Sequence, residues 1–154
     1  MKQFTTFLAL FFVITFYSSA RTYTVLSPDG RVVYEVTIAE EIAFSIFYNG
    51  KTIIRNSTFG LQFDQSKYLG KDMAVESEKR TTINERWKPV VGQYAEILNH
   101  ANELTLHLRE KRFPGREIRL IMRAYNNGAA FRYVIPESFR NYIPNYQETT
   151  TIPL

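Results

Sequence analysis

The sequence predicts an all-β chain, a β-sandwich or comparable two-layer fold, and three observations carry that prediction. Apolar and polar residues alternate with period two from Thr22 onward, the signature of strands that bury one face. No stretch holds an apolar stripe at helical spacing over three turns. Turn sequences rich in Gly, Pro and Asn punctuate the alternating runs and mark off about nine or ten strand candidates. With 154 residues and 45% hydrophobic content, the chain suits one domain that buries roughly two-thirds of the surface its unfolded form exposes. The absence of cysteine excludes disulfide scaffolds and thiolate-ligated zinc or iron–sulfur sites.

Residues 1–20 are set apart from the fold. Lys2, the apolar run Phe7 to Phe16 and the small residues Ser18-Ser19-Ala20 have the layout of a secretory signal peptide cleaved after Ala20. The stretch from Phe7 to Tyr17 is eleven residues, short of the roughly 20 that a spanning helix needs, so no stable membrane span is expected after cleavage. The expected location is periplasmic or secreted. Loss of Lys2 leaves 18 basic against 15 acidic residues, a weak excess that does not indicate a nucleic-acid partner.

The strands are expected in the following order. Val32, Tyr34, Val36 and Ile38 share one face of Arg31 to Ile38, after a turn at Ser27-Pro28-Asp29-Gly30. Asn49-Gly50, a strong hairpin signal, joins Ile42–Tyr48 to Lys51–Arg55. A shorter strand spans Thr58 to Asp64, and Gln65 to Lys71 reads as a polar loop. Ala74 to Thr82 suits an edge strand or a short helix, Tyr94 to Asn99 a strand, and His100-Ala101-Asn102 a turn. Leu104, Leu106 and Leu108 line one face of Glu103 to Arg109. Glu117–Tyr125 and Ala129–Ile135 pair across Asn126-Asn127-Gly128. A two-residue turn at Asn127-Gly128 sets Ala124, Met122 and Leu120 opposite Phe131, Tyr133 and Ile135, and Arg123 opposite Arg132. After Pro136, Glu137 to Tyr146 is irregular, and Glu148 to Ile152 is β-prone again. No internal repeat or linker divides the chain.

Candidate chemistry is sparse. His100 and His107 are too few for a three-histidine metal site, and His107 points away from the leucine face. The sequence lacks a nucleophile elbow, a phosphate-binding loop, a dinucleotide fingerprint and a zinc-protease helix motif. Glu40 with Glu41, and Glu76 with Glu78, offer paired carboxylates but read as solvated charge. Arg109, Lys111, Arg112, Arg116 and Arg119 read as a solvated hairpin tip, with an anionic partner as the lesser alternative. Arg123 and Arg132, if opposed, repel unless a carboxylate or an anionic ligand sits between them. Trp87, in Arg86-Trp87-Lys88-Pro89, is either core or a stacking platform for a sugar ring, a role Tyr94 can share. Asn56-Ser57-Thr58 matches the glycosylation pattern and is read as chance.

Four segments in order carry a likeness: Leu26-Ser27-Pro28-Asp29-Gly30, Phe47-Tyr48-Asn49-Gly50-Lys51, Trp87-Lys88-Pro89-Val90-Val91-Gly92, and Arg123 through Tyr133, the most specific. Together they resemble the N-terminal domain of glycoside hydrolase family 97, over essentially the whole chain from Thr22. The resemblance implies a β-supersandwich of the galactose mutarotase-like kind, with residues 21–154 forming an incomplete copy because the family's sandwich is longer. It implies a parent enzyme, secreted or periplasmic, that cleaves α-glucosides or α-galactosides. The family's catalytic carboxylates lie on a following (β/α)₈ barrel, and calcium assists at the domain junction. None of those residues maps onto this chain, so no catalytic, metal or cofactor residue is expected here and the substrate-binding residues stay unassigned. A freestanding carbohydrate-binding module or a periplasmic interaction domain is the alternative.

Overall fold

The computed structural model describes residues 20–63, 67–137 and 146–148. The proposed leader and most of the Glu137–Tyr146 stretch lie outside them. Strands β1 (Arg21–Leu26), β2 (Val32–Ile38), β3 (Ile42–Tyr48) and β4 (Lys51–Phe59) form an antiparallel sheet in chain order. Two short strands follow, β5 (Leu61–Phe63) and β6 (Lys67–Leu69). The second large sheet comprises β7 (Met73–Trp87), β8 (Ile97–Glu110), β9 (Glu117–Tyr125) and β10 (Gly128–Val134), each antiparallel to the next. A last strand, β11 (Tyr146–Glu148), pairs with β5 to complete a three-stranded sheet.

The two four-stranded sheets face each other across one core. Tyr23, Val25, Val32, Tyr34, Val36, Ile38, Ile42 and Phe44 enter it from the first sheet; Leu104, Leu106, Leu108, Ile118, Leu120 and Met122 enter from the second. Every second residue of β2 is buried, as period-two alternation requires of a strand covered on one face. The aromatic residues concentrate where the sheets meet. Phe59 stacks on Phe44 at 4.3 Å and meets Phe131 edge-on at 4.7 Å, and Phe131 in turn meets Tyr133 at 5.7 Å. Burial and the neighbouring Tyr133 push the Tyr34 hydroxyl well above its ordinary range.

Turn chemistry fixes the register. Asn49 and Gly50 both take positive φ, 48° and 75°, the primed turn whose twist matches a two-residue hairpin. In the β1–β2 turn the Asp29 carboxylate accepts hydrogen bonds from the Ser27 hydroxyl at 2.6 Å and the Arg31 backbone N–H at 3.0 Å. These bonds, with the Arg31 guanidinium, hold Asp29 at about 2 against an ordinary 3.8. The folded value lies below the unfolded one, so this stabilisation is complete above the ordinary carboxylate range and is lost as pH falls towards about 2. An NMR titration of the Asp29 carboxyl is expected to show its midpoint near 2, and Ser27→Ala to raise it. A midpoint at the ordinary carboxylate value would refute the turn network.

Several local expectations are corrected. The segment read as a polar loop contains β6, which pairs with β5 and buries Leu69. Of the two readings of Ala74–Thr82 the edge strand holds, since β7 ends the sheet, but the strand continues to Trp87. His100-Ala101-Asn102 is no turn: it lies inside β8, which starts at Ile97 rather than Tyr94 and runs unbroken to Glu110. The strand expected from Thr58 to Asp64 is interrupted at Gly60, where β4 gives way to β5. The β9–β10 turn sits one residue earlier than expected, on Asn126-Asn127, so Gly128 pairs with Tyr125 and Phe131 with Met122. Moving a turn by one residue shifts the pairing by two and leaves every side chain on its face, so the expected apolar face survives with new partners. In this register the Asn126 side-chain carbonyl oxygen accepts the Asp29 N–H at 3.1 Å and ties two turns together.

Candidate functional site

The second sheet extends past the sandwich. β9 pairs with β8 only from Ala101 to Arg109, whereas β7 pairs with β8 as far as Trp87 and Ile97. The last four residues of β7 and the first four of β8 therefore form a two-stranded arm, closed by the connection from 88 to 96. Its end is apolar: Trp87, Val90, Val91, Tyr94 and Leu98 are all exposed, Val90 completely.

Register assigns the arm's two faces. Trp87 lies opposite Ile97, Glu85 opposite Asn99, and Ile83 opposite Ala101, on the side of the sheet turned away from Leu104 and the core. Arg86, Leu98, Asn84 and His100 occupy the other side. Asn99 Nδ2 donates to Glu85 Oε2 at 3.1 Å, and Arg86 Nη1 to Glu96 Oε2 at 3.3 Å. Trp87 is therefore a half-exposed side chain at the end of a strand, at 47% of its full area, and not core. Tyr94, at 72%, lies in the connection.

Elsewhere the expected charge clusters resolve into pairs. Arg123 faces Ala130 instead of Arg132 and binds Glu103 at 2.6 Å, which raises the guanidinium pKa through that hydrogen bond and a second with Tyr125. The acid within reach of Arg123 is thus a neighbour on β8. Arg109 pairs with Glu76 and Glu117, Arg112 with Asp72, and Arg116 with Glu110, so most of the basic cluster is neutralised by acids of the same chain. Glu41 holds Lys71 at 2.7 Å, raising the lysine's pKa, and Glu78 lies 3.6 Å from Arg80. Neither carboxylate pair from the sequence converges in a cleft. His100 and His107 lie on opposite faces of β8, roughly 23 Å apart along the strand, and cannot share a metal. Asn56 sits at a bulge in β4 with φ of 48°, and Ser57 beside it is buried.

A groove of about 420 Å³ runs between β1 and β7. There Arg80 Nη1 donates to the Thr24 carbonyl and Asn102 Nδ2 to the Leu26 carbonyl, both at 2.8 Å. Side chains of the second sheet thus occupy acceptors on the outer edge of the first, a position otherwise open to pairing with another chain.

A family model described as "Glycosyl-hydrolase 97 N-terminal" matches residues 25–153. The chain belongs to this family. A glycosyl-hydrolase 97 relative, a retaining alpha-galactosidase of Bacteroides thetaiotaomicron, is 26% identical over 134 residues, 87% of this chain and 19% of its own length. A glycoside hydrolase family 97 enzyme from Pseudoalteromonas sp. strain K8, solved with panose, superposes with a TM-score of 0.69 at 25% identity, over 74% of this chain and 17% of that one. The same enzyme has been solved with acarbose. A beta-arabinopyranosidase superposes at 0.67 with 26% identity, over 75% and 18%. This glycosyl-hydrolase 97 N-terminal chain therefore spans less than a fifth of the length of the enzymes it matches.

Two functional candidates escaped the sequence reading, Glu85 and Asn99. The alternation of Glu85 with Trp87 was available, but placing a turn at His100-Ala101-Asn102 broke β8 and removed Asn99 from any register with β7.

Proposed function

We propose that this chain is the N-terminal β-sandwich portion of a secreted or periplasmic glycoside hydrolase acting on α-glucosides or α-galactosides. In that enzyme it takes no part in bond cleavage and supports the catalytic barrel and the wall of its carbohydrate cleft. The observation that carries this reading is the family match over residues 25–153 joined to a projecting arm with an apolar end. Val90 is fully and Val91 almost fully exposed on the arm, and exposed apolar side chains gathered at one end support a surface that packs on something larger. The rest of the enzyme is the proposed occupant.

The family's calcium is not assigned to the described residues, because no three acids or histidines among them converge. Export rests on residues 1–20, and amino-terminal sequencing of the secreted product is expected to begin at Arg21. Assay of the purified chain on aryl α-glucosides and α-galactosides is expected to release no sugar above a buffer blank. Hydrolysis at enzymic rates would overturn the reading. The alternative of a freestanding carbohydrate-binding module draws on the exposure of Trp87.

A further inference from the structure

The outer face of the arm carries a constellation that protein docking does not require. We propose that Trp87, Glu85 and Asn99 form a contact site for an α-linked hexopyranose oligosaccharide; the ligand class rests on the function proposed above, while the site rests on its own geometry. The indole at the end of β7 is half-exposed, and its flat apolar face suits the C–H face of a pyranose ring, with its N–H at the rim. Glu85 lies two residues back on the same face, roughly 7 Å along the strand, with Asn99 directly opposite it. The 3.1 Å bond from Asn99 to Glu85 sets the amide and the carboxylate side by side, within reach of neighbouring hydroxyls of one sugar.

This is the usual composition of a small-ligand site: an apolar platform with a few convergent polar groups that fix orientation. A carboxylate and an amide accept from and donate to neighbouring hydroxyls. A purely structural role explains less. The Glu85–Asn99 hydrogen bond is exposed to water, which competes for both partners, and Trp87, at 47% of its full area, lies outside the residues of the sandwich core. The two parts of the arm divide the work, with Val90 and Val91 packing on protein and the Glu85–Trp87 face meeting sugar.

Because Trp87 is the single tryptophan, its emission reports on the site in the unmodified chain. Titration with panose and maltotriose, in parallel with raffinose, is expected to give a saturable change in emission for at least one of them. Glu85→Gln and Asn99→Ala are each expected to weaken apparent affinity about fivefold, the loss of one ordinary hydrogen bond. Both variants keep the reporter, and an unchanged urea-unfolding midpoint followed by circular dichroism certifies the fold of the free protein. A tighter response to panose than to raffinose assigns the site to glucose-configured chains, and the reverse to galactose-configured ones. Flat titrations with all three sugars, or affinities untouched in both variants, overturn the proposal. Sugar release by the chain alone would instead overturn the function proposed above and leave this site standing, so the two failures are distinguishable.

Discussion

Phe59→Ala is expected to lower folding stability by about 3–5 kcal/mol, the range for removing a fully buried aromatic side chain. Phe59 is 0% exposed and ends β4 at the place where the sheets come together. Its ring lies against Phe44 of the first sheet and against Phe131 and Tyr133 of the second. Truncation opens a cavity lined by three rings from two strands, β3 and β10, in opposite sheets, and strands locked into ladders cannot close over it. The aromatic pairs add about 0.5–1.5 kcal/mol each beyond area burial, which places the expectation in the upper part of the range. Phe59→Leu keeps most of the volume and should cost clearly less. Urea unfolding reads the difference as a shift in midpoint at constant slope. A loss under about 1 kcal/mol, far below the usual cost of such a cavity, would mean that the sheets do collapse around the missing ring.

Glu110→Ala should produce the second largest effect, about 3 kcal/mol, at the low end of what breaking a buried ion pair costs. Side-chain exposures of 15% for Arg116 and 12% for Glu110 separate this pair from the surface pairs of the chain. Glu110 accepts from the Arg116 backbone N–H at 3.0 Å and from its Nε at 2.8 Å. Arg116 Nη2 meanwhile donates to the Tyr68 carbonyl at 2.8 Å, so the pair links the β8–β9 connection to β6. Removing the carboxylate leaves a guanidinium out of water with its main partner gone. By contrast, Glu76→Ala on the half-exposed Arg109 pair should cost under about 1 kcal/mol. A double-mutant cycle on Glu110 and Arg116 tests the distinction. Coupling no larger than that of the Glu76–Arg109 pair would place Glu110 among the surface charges.

The leucines of β8 and the alternating residues of β2 were legible in the sequence because one face is wholly apolar and the other, Val33 excepted, is polar. The Asn49-Gly50 hairpin was legible because few sequences satisfy two positive φ values. What failed has a common physical origin. β8 carries Asn99, His100 and Asn102 before its leucines, polar residues that mark turns in an isolated stretch. Here they sit in a ladder held by β7, and Asn102 is needed to reach the Leu26 carbonyl. β6 was hidden because three residues are too few to show a period, and its pairing with β5 is set by tertiary context. The Arg123–Arg132 opposition failed because the chain reverses one residue earlier, on Asn126-Asn127, and the accompanying Asn126 contact with Asp29, over 97 residues of sequence, leaves no local trace. Trp87 was recognised as a platform candidate from its polar neighbours, but its partners across the ladder required the register.

β8 is one uninterrupted strand from Ile97 to Glu110, and the same backbone that seats Leu104 to Leu108 in the interior also aims the far end of the arm. Length changes there obey a parity rule. Deleting one residue from each strand of the arm would turn the indole to the opposite side of the ribbon, while deleting two from each would only shorten its reach. Natural variation in this arm should therefore come in even steps per strand, wherever the direction in which Trp87 points is what selection preserves.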